Sequence, residues 1–430
     1  MSKRRRASGA ACAAALLLWP APRARADELR AGFGAAPLPA EVGEPMGGYG
    51  GLATRRAEGV LDPPEARALV LEQGSLRVAI ASVDIVIVRP NLRELALAEA
   101  APLHLDLFTL VATHTHSGPG GYLPGWVQAR LTAGEYEPAM PGKLAHAVAE
   151  ALARAVADLA PATLASRNAP LALARNRRFA DGPVETELAV LRADFADGHE
   201  PIVLFAYGAH ATLLSPGNHR LSADWPGAAR AALAASGFRA IFVPGPLGDQ
   251  EPAIDSSIWG GDEEERRVTA EFGKQMADAV ASAARAAAPG SDPPLLAARE
   301  RWVDTPRPEL RTYCSLWWFS PLLGSTLDEF VSKRVPFQAI RAGNAELATV
   351  PAEPTAAVGG ALRQRIPAGR TRFVVAHAND WLGYVVDRDT YDRGGYEACL
   401  DLLGPGSAGW VVDRATESLR ALDAPAEAAP

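Results

Sequence analysis

Apolar residues run along this chain in two alternating rhythms. "LRVAIASVDIVIV" (76–88) and "LFTLVATH" (107–114) are continuous, β-branched stretches of the kind found in strands buried on both faces. Further strands are predicted at 188–195, 201–208, 240–244 and 371–377. Between them, apolar positions recur at helical spacing over 91–101, 142–158, 225–236, 263–287, 355–366 and 410–422. No internal repeat and no low-complexity linker divides the chain. The alternation predicts an α/β fold, a single layered domain with a mixed β-sheet and flanking helices. In such folds ligands bind where strands end and loops begin.

Composition supports a packed core. Of 430 residues, 48% are apolar and 22% charged, which argues against disorder. The first 26 residues read instead as an export signal. "SKRRR" is a basic start, "AACAAALLLW" an apolar stretch too short to span a bilayer, and "ARA" a small-x-small cleavage site before Asp27. The expected mature domain is 27–430, in the periplasm or secreted. Loss of the leader removes six basic residues and no acid, taking the formal net charge from −7 to −13. That balance argues against a nucleic-acid partner. Cys314 and Cys399 remain, and one bridge between them is permitted outside the cytoplasm. The aromatic stretch "YCSLWWFSPLLG" (313–324) leaves two readings open, core packing or a transient contact with a membrane surface.

The candidate chemistry lies at two strand ends. "ATHTHSGPGGY" (112–122) places His114 and His116 at the tip of one predicted strand, before a glycine-rich turn. "PIVLFAYGAH" ends a second strand on His210. Two such histidines converging on one sheet edge would suit a zinc ion, which takes nitrogen and oxygen donors and keeps a position open for water. Either histidine alone is more commonly a hydrogen-bonded structural residue. His104, His146, His199, His219 and His377 have no such context and read as surface or structural residues. There is no GxSxG elbow, no phosphate-binding GxxxxGK[ST], no GxGxxG after a strand and no HExxH.

The motif "THTHSGPGGY" resembles the signature of the neutral ceramidases, zinc-dependent amidases that cleave N-acylsphingosine. Further similar blocks follow in family order: "GFGAAPLPAEVGEPMGGYG" (32–50), "NRRFADGPVETELAVLRADF" (176–195), "FAYGAHATLLSPGNHRLSADWPGAA" (205–229), "AIRAGNAELATVPAEPTAAVGGALR" (339–363) and "NDWLGYVVDRDTYDRGGYEA" (379–398). The resemblance implies His114, His210, Glu353 and Tyr384 as zinc ligands. It implies His116, Arg177 and Tyr396 as catalytic residues contacting the substrate. The chain departs from the family at "GDQEP" (248–252), where Glu251 stands in place of a serine with an assigned catalytic role. A serine nucleophile is excluded there, and Glu251 is expected as general base or as the group that orients the water, the other reading being a solvated loop glutamate or a partner for a basic side chain. The family's carboxyl-terminal immunoglobulin-like domain is expected to be absent. The implied function is metal-assisted hydrolysis of the N-acyl bond of ceramide or a related N-acyl lipid. Two alternatives stay open: a zinc hydrolase acting on a non-sphingolipid amide or ester, and a binding protein without turnover.

Overall fold

The computed structural model describes residues 28–50, 55–125, 132–254, 262–290, 295–309, 311 and 330–424. The expected leader, the aromatic stretch 313–324 and the carboxyl tail lie outside the described residues. Four layers follow one another, helices, a large sheet, a smaller sheet and helices again. The large sheet has nine strands. From one edge its strands are Arg239–Pro244, Ile202–Tyr207, Glu187–Phe195, Ala160–Pro170, Arg30–Pro37, Glu65–Gln73, Leu76–Val83 and Leu107–Ala112, with Ala288–Pro289 added alongside Ala160–Pro170. The interior pairs are antiparallel, while each edge carries one parallel pair. Those parallel pairs are the apolar runs read from the sequence, because both their faces are buried.

A four-stranded sheet packs against one face of the large one. Its order is Leu296–Asp304, Arg334–Ala342, Ala345–Thr349, Thr371–Val375. Leu69, Val78, Ile80, Leu204 and Ile241 from the large sheet meet Ile340, Leu347 and Phe373 from the small one in a shared core. The helices Pro90–Glu99 and Met140–Ala157 cover the opposite face of the large sheet near one edge, and Asp224–Ala235 and Asp262–Ala286 cover it near the other. Ala356–Arg363 and Ser407–Arg420 cover the small sheet. The helix Met140–Ala157 lies unusually close to strand Arg30–Pro37, and glycine is what permits it. A Cβ on Gly32 or Gly34 would come within 2.1 Å of Ala155 O or 2.0 Å of Ala151 O, respectively.

Each predicted helix is present within a few residues, and so are the predicted strands. The run 76–88 ceases to be strand at Val83, for a local electrostatic reason. Asp84, fully buried, accepts from the Glu65 N–H at 2.8 Å and takes both arms of the Arg230 guanidinium at 2.8 and 2.6 Å. A carboxylate so held turns the chain out of the ladder. Strands Ala160–Pro170 and Leu296–Asp304 were not legible in the sequence. The first is bounded by prolines and the second carries the charged "RER", so neither shows an apolar run.

The Asp84–Arg230 pair bolts the end of strand Leu76–Val83 to helix Asp224–Ala235. Arg230→Ala leaves a buried carboxylate without its counter-charge, and the expected loss of stability is about 3–5 kcal/mol. Denaturant unfolding of the two proteins measures it.

Candidate metal centre and its cavity

Backbone pairing, not side-chain reach, brings the histidines together. His114 follows strand Leu107–Ala112, and His210 follows strand Ile202–Tyr207. Their loops join through a parallel bridge between Thr115 and Ala211, reinforced by His116 N–H donating to Ala211 O at 3.2 Å. His114 takes a left-handed backbone conformation, φ 65°, which turns its ring away from the strand direction. Glu353 and Tyr384 arrive together. They are register partners in a two-residue parallel ladder, Glu353–Pro354 with Tyr384–Val385. The glycines of the turn at 118–121 allow close backbone contacts. Gly118 packs on Asp84 O and Gly120 on Ala133 O, with no room for a Cβ at either. The glycine that faces the motif is Gly48, whose Cβ would strike His116.

The hydrogen bonds assign the imidazole protons. His114 Nδ1 lies 2.7 Å from Val86 O, and His210 Nδ1 lies 2.8 Å from Gln250 O. A carbonyl can only accept, so both Nδ1 atoms donate, and in the neutral ring each Nε2 carries a lone pair. Those lone pairs face Glu353. Oε1 of Glu353 is 2.9 Å from His210 Nε2 and 3.6 Å from His114 Nε2. His210 Nε2 and Glu353 Oε1 have no hydrogen-bond partner among the described residues. Burial opposes charge on Glu353, and what lowers its carboxyl well below the usual range is positive charge at the positions of His114, His210 and His377, which neutral rings do not carry. Burial keeps His114 and His116 neutral, their basicity well below that of a free imidazole. Apart from the Trp381 N–H and the Tyr384 hydroxyl, the buried carboxylate faces imidazole nitrogens, an arrangement that fits a cation. The donor atoms of His114, Glu353 and His377 also lie within 4.8 Å of one another, a group able to hold a metal ion.

His116 has the opposite polarity. The Tyr49 N–H donates to its Nδ1 at 3.3 Å, so the neutral ring carries its proton on Nε2, 3.2 Å from His114 Nε2. Beside the donor set stands an N–H able to approach a bound oxygen. Arg177 donates to Tyr384 Oη at 3.0 Å and to Gly248 O at 2.9 Å, and its Nε pairs with the buried Glu397 at 2.9 Å. Burial works against the Arg177 charge, but Tyr384, Glu397 and Glu353 raise its pKa above the ordinary value. For Tyr384, burial first and Glu353 second push the phenol well above its normal range. A bound cation is the influence that reverses this. Tyr396 stands edge-on to Tyr384, ring centres 5.7 Å apart, and is 48% exposed at the cavity wall.

The structure brings all eight expected residues to one region, seven of them in the wall of a cavity of about 930 Å3. His210 is the exception, fully buried behind the wall. Glu251 lines the cavity but is engaged. Strand Gln250–Pro252 pairs with Ala174–Asn176, and this register sets Glu251 opposite Arg175, whose Nε reaches it at 2.7 Å. His377, read as surface or structural, lies beside this group. His377 is wholly buried, its ring stacked on His114 with centres 4.2 Å apart. Its segment "VVAHAND" ends a predicted strand on a histidine, the same pattern that singled out His114 and His210.

Residues 31–240 match the model of the neutral/alkaline non-lysosomal ceramidase N-terminal domain. The chain is similar to the neutral/alkaline ceramidases over this segment. It is 27% identical over 265 residues to a neutral ceramidase of Mycobacterium tuberculosis, covering 54% of this chain and 41% of that protein. To the neutral ceramidase of Pseudomonas aeruginosa it is 25% identical over 479 residues, covering 89% of this chain and 70% of that protein. The crystal structure of neutral ceramidase from P. aeruginosa superposes with a TM-score of 0.78 at 23% identity, over 94% of this chain and 76% of that one. A ceramidase complexed with C2 gives a TM-score of 0.77 at 22% identity. The shared fold therefore extends past residue 240, across the segments that carry Glu353 and Tyr384. The chain spans less than half of the mycobacterial relative.

Proposed function

We propose that this chain is a zinc-dependent amidase that hydrolyses the N-acyl bond of ceramide or a related N-acyl lipid. The observation that carries this reading is the convergence of His114 Nε2, His210 Nε2 and the Glu353 carboxylate beside the His116 N–H, with His114, His116 and Glu353 in the wall of a cavity. His114, His210, Glu353 and Tyr384 would hold the ion. Zinc in such a site supplies a water whose pKa is lowered to about 7 and a Lewis acid for the carbonyl.

The remaining steps fall to the chain's own groups. His116, with its proton on Nε2, donates to the carbonyl oxygen as that oxygen gains charge. Arg177 keeps the Tyr384 oxygen in place and adds positive charge to the same wall. Tyr396, at the exposed side, contacts the substrate next to the scissile amide. Glu251 serves as the base, in competition with its ion pair to Arg175. Val86, Ile87, Phe330, Trp381, Leu400 and Leu402 offer the cavity's apolar surface to an acyl chain. A second reading, hydrolysis of a more polar amide or ester, draws support from Arg311 and Arg393 in the same lining. We also propose that the domain is 27–430 and is exported with cleavage before Asp27, as its first 26 residues suggest. Amino-terminal sequencing of the exported product reads the cleavage point.

His114→Ala and His210→Ala are each expected to lose stoichiometric metal and, with it, release of amine from N-acylsphingosine. Metal analysis combined with a panel of N-acylsphingosine, short N-acyl amino acids and esters checks both the centre and the substrate class. Full metal content and activity in both variants would show the ligand assignment to be wrong. Glu251→Gln is expected to lower kcat by about 10²–10⁴-fold at unchanged metal content. An unchanged kcat reduces Glu251 to the partner of Arg175.

A further inference from the structure

His377 is the buried polar group that the ligand set above leaves unexplained. It is fully shielded from solvent, and neither ring nitrogen has a hydrogen-bond partner among the described residues. An imidazole stranded in this way destabilises the fold unless something pairs with it. Its placement is tightly imposed. The backbone sits in the left-handed region, φ 52°, unusual for a side chain branched beyond Cβ. It is held there from both sides, by His377 N–H to Ala352 O at 3.1 Å and by Ala112 N–H to His377 O at 3.3 Å. The neighbouring bridge between Val111 and Ala378 ties the same segment to the strand that carries His114.

The ring faces one side of Glu353. The two carboxylate oxygens look in different directions. Oε1 faces His114 and His210, while Oε2 accepts from Trp381 Nε1 at 3.2 Å and lies 3.8 Å from His377 Nε2. At 3.8 Å the imidazole is too far to be a hydrogen-bond donor to that oxygen. It is within range of an ion that both could share, since the donor atoms of His114, Glu353 and His377 fit inside 4.8 Å. A simple packing role would be served as well by leucine, without two stranded nitrogens.

We propose that His377 is a third imidazole donor to the cation held at Glu353. The centre then draws on His114, His210 and His377 together with Glu353 and Tyr384. Three imidazoles tilt selectivity toward zinc and its transition-metal neighbours and away from magnesium or calcium, which favour oxygen donors. The inference rests on the reading that Glu353 lies at a metal centre, but it does not depend on which amide is cleaved.

The test compares metal-stripped wild type with His377→Leu. Zinc affinity is measured by competition with a chromophoric chelator, and the cobalt-substituted proteins are compared by visible absorption. The leucine variant is expected to bind zinc about 10–100-fold more weakly and to shift the cobalt bands, as loss of a nitrogen donor requires. Its metal-free form should unfold at the same temperature as metal-free wild type or higher, because the stranded nitrogens are gone. The rise in unfolding temperature on adding zinc should shrink. Should the leucine variant fail to fold, His377→Gln is expected to give the same weakening and band shift. Equal zinc affinity and superimposable cobalt spectra in the folded variant overturn the proposal. Wild type that binds no metal overturns this inference together with the metal centre. Metal bound normally without turnover of any amide overturns the proposed function alone.

Discussion

A buried negative charge organises this molecule. Glu353 sits 1% exposed at the meeting point of the strand ends, with the nitrogens of His114 and His210 facing its Oε1. The one N–H it receives from a neighbouring side chain comes, among the described residues, from Trp381. An ionised carboxylate is costly to bury without compensation. The surrounding fold supplies that compensation only in part, through Arg177 at the far side of Tyr384. The remainder of the charge suits a cation, which the group of His114, Glu353 and His377 could hold.

Rigid elements hold that geometry in place. The ligand candidates stand just beyond strand ends, fixed by backbone bridges at Thr115–Ala211, Val111–Ala378 and Glu353–Tyr384. Their ring orientations are set by carbonyls, Val86 O and Gln250 O, which no side-chain replacement at those positions would remove. Around this frame, Glu397 is shared by Arg177 and Arg178, and Asp84 clamps Arg230. These buried pairs tie the helices and loops of the cavity to the sheet. The centre is therefore preorganised by main-chain pairing, with the charged side chains acting as struts.

The same logic separates His116 from its neighbour two residues away. The rings of His114 and His116 lie with their centres 4.7 Å apart, yet their tautomers are opposite. His114 meets a carbonyl and presents a lone pair, whereas His116 meets the Tyr49 N–H and presents a proton. One motif thus yields an acceptor and a donor at adjoining points, which is the pairing that hydrolysis of a carbonyl compound needs.

Much of the frame was legible in the residues alone. The buried parallel strands announce themselves as unbroken apolar runs because both faces are covered, and the helices show their spacing because one face is. His114 and His210 stood out as strand-end histidines, and the family resemblance added Glu353 and Tyr384. Strands such as Ala160–Pro170 and Leu296–Asp304 stayed hidden, since one face is wet and their prolines and charges break the pattern. Only the tertiary structure could decide the rest. Glu251 meets Arg175 because two short strands pair in one register, and His377 joins the centre because Ala378 bridges to Val111. Both depend on contacts between residues far apart in the chain, and local pattern carries no record of which distant strand end a residue will meet.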